Sequence, residues 1–234
     1  MEEVNLQEVK DKLNEKLKAS GWSTPLFNFI MTSDFDDILS FLLRDAQDGK
    51  RFTPKIKDVF KAFEACPLDK TRVVVIGQDP YPQIDVADGI AFSCSKKGKI
   101  EKSLEYMYKS IEKTTEIVTI TDPDLSRWSN QGMLLLNSAL TTTIGKPGSH
   151  QLLWKPFMAY VIDYLVWNKS DLIYVFLGKK AQEFADLVPD NNHKIFVSHP
   201  ASAGYERQSE WDCNDMWNKI NKYLEENGQQ RISW

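Results

Sequence analysis

The chain is short of cysteine, has no long apolar run and carries no excess of basic charge, and each shortage closes a class of function. Its three cysteines, Cys66, Cys94 and Cys213, are odd in number, widely spaced and never form a C-x-x-C pair. That speaks against a disulfide framework and against a zinc or iron–sulfur centre, so no metal is expected and the thiols are read as buried and unpaired. No stretch approaches the roughly 18 apolar residues of a membrane span, and no membrane partner is expected. The opening MEEVNLQEVKDKL is acidic and amphipathic, without the apolar core of a secretory leader. An intracellular, reducing location is therefore expected, cytoplasmic, or nuclear if the host is eukaryotic. A formal net charge of −4 gives no whole-molecule attraction to polyanions, so a nucleic-acid site would have to be a local basic surface. The nucleophile elbow G-x-S-x-G is missing, and neither IGQDPYP nor LGKK matches a phosphate-binding glycine pattern. Serine hydrolysis, nucleoside-triphosphate chemistry and a dinucleotide cofactor are disfavoured, and no cofactor is expected. There is no repeat and no Gly/Ser linker, so residues 1–234 are read as one domain with a helical lead-in over about residues 1–50.

What the chain does have is 42% hydrophobic residues, ample for a packed core. In the lead-in, Val4, Val9, Leu13 and Leu17 recur at helical spacing up to Gly21, and SDFDDILSFLLRD offers Ser33 or Asp34 as the N-cap of a second helix. Then come four short apolar runs, RVVVIG, MLLLNS, LIYVFLG and KIFVSHP. They alternate with the helically spaced stretches SLEYMYKSIEK, PFMAYVIDYLVW and KKAQEFADLV. Alternating strands and helices imply parallel pairing, and runs apolar at every position fit strands covered on both faces. The expected fold is a three-layer α/β/α domain with about four parallel strands.

Each apolar run ends on a polar or turn residue: Gln78 and Asp79, Asn137, Gly178 and Lys179, and His199. Open α/β sheets bind ligands beyond the carboxyl ends of their strands, so these residues converge on one rim. With Tyr81 and Phe92 nearby, the set offers a stacking ring, an amide for a donor–acceptor edge, a carboxylate and an imidazole. That combination suits a flat polar ring, as in a nucleobase pocket.

GQDPYP, DGIAFS, LLLNSALTT, GSHQLLW and SHPAS, in this order and spacing over roughly residues 60–234, resemble the motif series of family 1 uracil-DNA glycosylases. The closing ISW is similar to that family's terminal I-D-W. The resemblance implies hydrolysis of the bond between uracil and deoxyribose in DNA, single- or double-stranded, with the nucleotide flipped into a pocket. By matched position Asp79 would orient the attacking water and steady the charge on the sugar. His199 would donate to uracil O2, Asn137 would pair with N3–H and O4, Phe92 would stack, and Tyr81 would exclude a thymine methyl. Gln78 would add donors to the base, and Ser103, Gly178 and Lys179 would contact the DNA backbone. A monomer is expected, with a protein inhibitor or a replication partner left open.

The chain also departs from the family. Pro82 stands where a histidine is usual. The Pro-rich DNA clamp is replaced by SKKGKIEKS, and the phosphate-loop serine by Lys179. Ala203 stands at the place of the wedge leucine and is too short to fill the hole left by a flipped base. Tyr205 or Arg207 would then replace the wedge, or the substrate is single-stranded or already distorted DNA. Two other readings stay open: a weakly catalytic relative acting as a DNA-binding module, and a glycosylase for other damaged bases.

Overall fold

The computed structural model describes residues 5–95, 98–205 and 208–234, without the side chain of Tyr205; Val4 of the first helical pattern lies outside them. The lead-in consists of α1 (Leu6–Lys16), α2 (Ser23–Ile30) and α3 (Ser33–Gln47). Asn5 caps α1, its side-chain oxygen accepting from the N–H groups of Gln7 and Glu8. The start of α3 lies one residue before the expected cap. Thr32 takes the extended N-cap position, and Ser33 and Asp34 fall in the first turn, where Asp34 and Asp36 suit the helix dipole.

The chain continues through β1 (Phe52–Thr53), α4 (Lys61–Ala65), β2 (Val73–Gly77), α5 (Lys102–Thr115) and α6 (Ser126–Ser129). It then forms β3 (Met133–Asn137), β4 (Thr142–Thr143), α7 (Gln151–Asn168), β5 (Ile173–Leu177) and α8 (Lys179–Gln182). The last elements are β6 (His193–Val197), α9 (Ala201–Tyr205) and α10 (Met216–Glu226). The main sheet is wholly parallel, in the order β3-β2-β5-β6, and β1 pairs with β4 in a separate antiparallel ribbon.

The four expected strands are all present. β2, β3 and β5 are buried at every residue, as fully apolar runs require. β6 is not covered on both faces: it lies at the sheet edge, where Phe196 is 45% exposed while stacking on the buried Phe176. KKAQEFADLV forms no single helix but the short α8 and a 3₁₀ turn at Ala185–Leu187. All three cysteines are buried and outside any disulfide among the described residues, and burial pushes the Cys66 thiol up to about 11. Among the described residues no helix is long and apolar enough to cross a membrane.

α7 ties the lead-in to the sheet. Its Phe157 stacks on Phe60 (5.4 Å between ring centroids) and meets Phe29 edge-on at 5.3 Å and Phe63 at 6.0 Å. The connection β2→β3 leaves the sheet to one side and β5→β6 to the other, so the switch point lies between the carboxyl ends of β2 and β5. Residues 78–82 and 178–179 emerge there. Because Phe157 joins the lead-in to the body, Phe157→Ala should lower the unfolding free energy by about 3–5 kcal/mol in one cooperative urea transition. A separate early transition of the lead-in would contradict that packing.

Candidate active site

The rim begins at the end of β2, where Gly77 pairs in register with Asn137 of β3. A Cβ at Gly77 would fall 2.7 Å from Asn137 Oδ1 and 3.0 Å from the Phe92 ring. Only glycine lets the amide and the ring meet over the strand end. Asn137 is 8% exposed, and among the described residues its side-chain amide has no hydrogen-bond partner. A buried amide left open toward a cavity is a recognition group in waiting, since burial without partners is costly.

Asp79 follows one residue beyond β2's flanking Gln78. Its Oδ2 accepts the Gly148 N–H at 2.6 Å. Burial pushes its pKa above the ordinary value, while hydrogen bonds from Gly148, Thr142 and the Gln78 side chain act in the opposite sense. The Gln78 carbonyl is taken up by Ser138 Oγ, Ala139 N–H and Gln151 Nε2.

Phe92 sits in a loop that needs an anchor, because its φ of +65° is unfavourable for a side chain of that size. Asp88 supplies the anchor. Its fully buried carboxylate accepts from Ile90 N–H (3.0 Å), Ser93 Oγ (2.6 Å) and both the N–H and the hydroxyl of Ser95, with Lys61 Nζ at 3.6 Å. Tyr81 closes the loop from the other side, its hydroxyl donating to the Phe92 carbonyl at 3.1 Å.

His199 follows β6 and stands beside Phe92, the ring centroids 5.6 Å apart and tilted by 39°. Its Nδ1 accepts the Ala201 N–H at 3.1 Å, so the ring proton of the neutral form lies on Nε2. Burial lowers its pKa to about 4. Gly178 (φ +88°) lets the backbone pass close by, since a Cβ there would fall 2.9 Å from His199 Cβ. Before His199, Ser198 Oγ accepts from the buried Trp211 Nε1 at 3.0 Å.

Gln78, Asp79, Tyr81, Phe92, Ser103 and His199 line one cavity of about 400 Å³, whose rim includes Pro82 and Ser202. Asn137 reaches a small recess beside it, walled by Tyr81 and Phe92. Residues from the ends of β2, β3 and β6 and from the first turn of α5 therefore converge, whereas Gly178 and Lys179 beyond β5 line neither the cavity nor the recess. Lys179 is exposed at the start of α8. Ala203 is 1% exposed and packed inward, so it offers no contact surface at the place where a wedge was expected to fail for shortness. Tyr205 is the last residue of α9, and Arg207 lies outside the described residues, as do Lys96 and Lys97 of the lysine-rich loop. The supports that motif reading passed over are Gly77, Asp88, Thr142 and Gly148. Asp88 alone left a signal, a carboxylate ahead of the serines at 93 and 95. Among the described residues no cluster of His, Cys, Asp or Glu could hold a metal ion.

A three-layer parallel α/β fold with a carboxylate, a neutral imidazole and an open amide around a ring-sized slot at its switch point defines a nucleobase-handling protein. Comparisons narrow the class. The model of the "Uracil DNA glycosylase superfamily" matches residues 63–225. Uracil-DNA glycosylase of Acinetobacter baumannii is 30% identical over 230 residues, covering 97% of each chain. That of Amoebophilus asiaticus is 34% identical over 218 residues, covering 92% of this chain and 98% of its own. The crystal structure of mimivirus uracil-DNA glycosylase superposes with a TM-score of 0.82 at 26% identity, covering 99% of this chain and 89% of that one. A variant of the mimivirus protein, in complex with UGI, also gives 0.82, at 27% identity and covering 93% and 90%. The chain belongs to the uracil-DNA glycosylase superfamily.

The tight approach at the slot floor makes a direct expectation. Gly77→Ala should fold, lose about 1–3 kcal/mol in chemical denaturation, and show Asn137 and Phe92 displaced in a crystal structure. An unmoved Asn137 would refute the close-approach argument.

Proposed function

We propose that the chain hydrolyses the bond between deoxyribose C1′ and uracil N1 in DNA, leaving an abasic site and free uracil, as the first step of base excision repair. The observation that carries this reading is that Asp79 and His199 line one cavity beside the open amide of Asn137 and the ring of Phe92. Asp79 holds a water against C1′ and favours the positive charge that gathers on the sugar as the C1′–N1 bond breaks. The bonding pair leaves with the base, whose O2 accepts a hydrogen bond from His199 Nε2–H, and the water loses a proton to Asp79 as its oxygen joins C1′. Nδ1 is occupied by the Ala201 N–H, which leaves the other nitrogen to donate. The Asn137 amide matches the N3–H and O4 edge of uracil; cytosine would face it with mismatched groups, at about 1–3 kcal/mol each.

Phe92 stacks on the base. Tyr81, fixed by its bond to the Phe92 carbonyl, walls off C5 against a methyl group. Gln78 acts through its backbone and through Asp79. Ser103, in the first turn of α5, and Gly178 with Lys179 face the DNA backbone, where cationic contacts make binding salt-dependent. Because Ala203 is buried, the wedge role passes to Tyr205 at the end of α9 or to Arg207. The protein acts as a monomer in a reducing intracellular compartment.

The test is release of free uracil from a uracil-containing oligonucleotide in the presence of a chelator, followed by alkaline cleavage of the abasic strand; intact strands would reject the reading. Asp79→Asn should lower kcat by roughly 10²–10⁴-fold with little change in DNA affinity. The wild-type kcat/KM should fall as pH drops through the raised Asp79 pKa, because the reactive form is the carboxylate. His199, with a pKa of about 4, is neutral near pH 6–7 and adds no fall there. Tyr205→Ala should reduce activity on duplex DNA and spare activity on single strands. An equal loss on both substrates would exclude Tyr205 as the wedge.

A further inference from the structure

The segment after Asn137 grips the Asp79 loop at three points. Gln78 O accepts from Ser138 Oγ (2.7 Å), Ala139 N–H (3.1 Å) and Gln151 Nε2 (2.9 Å). Asp79 Oδ2 accepts from Gly148 N–H (2.6 Å), and Pro82 O accepts from Gly145 N–H (2.9 Å). Two of these grips lie in the turn 144–150, so whatever fixes that turn fixes Asp79. Within it, Thr142 Oγ1 donates to Lys146 O at 2.9 Å and Thr143 N–H donates to Ser149 Oγ at 2.8 Å.

His150 closes the turn from behind. Its ring is 1% exposed and none of its atoms reaches the cavity. Both ring nitrogens bond to threonine hydroxyls: Nδ1 to Thr141 Oγ1 at 2.8 Å, which also accepts Trp154 Nε1–H at 2.7 Å, and Nε2 to Thr143 Oγ1 at 3.0 Å. Behind the ring stands α3 of the lead-in: Asp45 Oδ2 lies 3.9 Å from Nε2 and the Phe41 ring packs edge-on at 5.5 Å. Asp45 is itself paired with Lys50 at 2.7 Å, and these two are the charged groups that face the imidazole. Burial lowers the His150 pKa and so favours the neutral ring.

We propose that His150 is a positioning residue for Asp79, with α3 as its buttress: it locks the turn that presents the Gly148 N–H to the carboxylate. The inference rests on the reading of Asp79 as the group that activates water. It gives the lead-in a part in the reaction, through Phe41 and Asp45, although no residue of α3 lines the cavity.

The test compares His150→Phe, which keeps a ring but no polar atom, with His150→Gln, which restores an amide donor, and with Thr141→Val as a near-isosteric cut should His150→Phe not fold. The Asp79 carboxyl is titrated by ¹³C NMR in the wild-type background, and kcat is measured on a single-stranded uracil oligonucleotide in both the wild-type and Asp79→Asn backgrounds. The expected result for His150→Phe and Thr141→Val is a higher Asp79 pKa, since lost donors favour the protonated form. With it should come a roughly tenfold fall in kcat at unchanged KM, partial recovery in His150→Gln, and no further fall in the Asp79→Asn background. An unshifted Asp79 pKa, or an equal loss with and without the Asp79 carboxylate, would overturn the proposal. A shifted pKa in a protein that releases no uracil would leave the positioning intact and reject the catalytic reading alone.

Discussion

Burial at the carboxyl rim of the sheet sets the chemistry of this protein. Removing two titratable groups from water disfavours the charged form of each, and so drives an acid and a base in opposite directions. Asp79 is raised and His199 is lowered to about 4 by the same cause. The backbone then decides what each can do. Gly148 donates to Asp79 and favours the carboxylate, whereas Ala201 donates to His199 Nδ1 and makes the neutral ring a donor through Nε2. A carboxylate and an uncharged imidazole can thereby share one small cavity.

Such an arrangement needs rigid supports, because both groups depend on single backbone amides. The parallel sheet delivers the first of them, placing Gly77 opposite Asn137 with no side chain between amide and ring. The Asp88 carboxylate holds the Phe92 loop against an unfavourable φ, and Gly178 allows the end of β5 and His199 beyond β6 to approach within contact. Around the Asp79 loop, the polar turn 144–150 is stitched by threonines, a serine and a buried histidine. Polar networks of this kind are costly when incomplete, so their full pairing is what makes the geometry specific.

The fold was legible where the sequence carried a strong period. Four apolar runs became four parallel strands, and the three covered on both faces, β2, β3 and β5, are the ones buried throughout. Weak periods misled. KIFVSHP reads like the other three, yet β6 is an edge strand with Phe196 partly in solvent. KKAQEFADLV broke into two short pieces, and the two-residue ribbon of β1 with β4 has no local signature, since pairing between Phe52 and Thr143 is set by tertiary contacts. At the site, chemistry-bearing residues at strand ends could be picked out, because topology alone brings strand ends together. Apart from Asp88, their supports could not: the Gly148 amide looks like part of an ordinary loop until the chain is folded.

The most direct measurement is the ¹⁵N chemical shift of the His199 imidazole followed from pH 8 to pH 4. The account predicts a neutral ring with its proton on Nε2 throughout the neutral range, titrating only near pH 4. A ring protonated between pH 6 and 7, or a neutral ring with its proton on Nδ1, would contradict it.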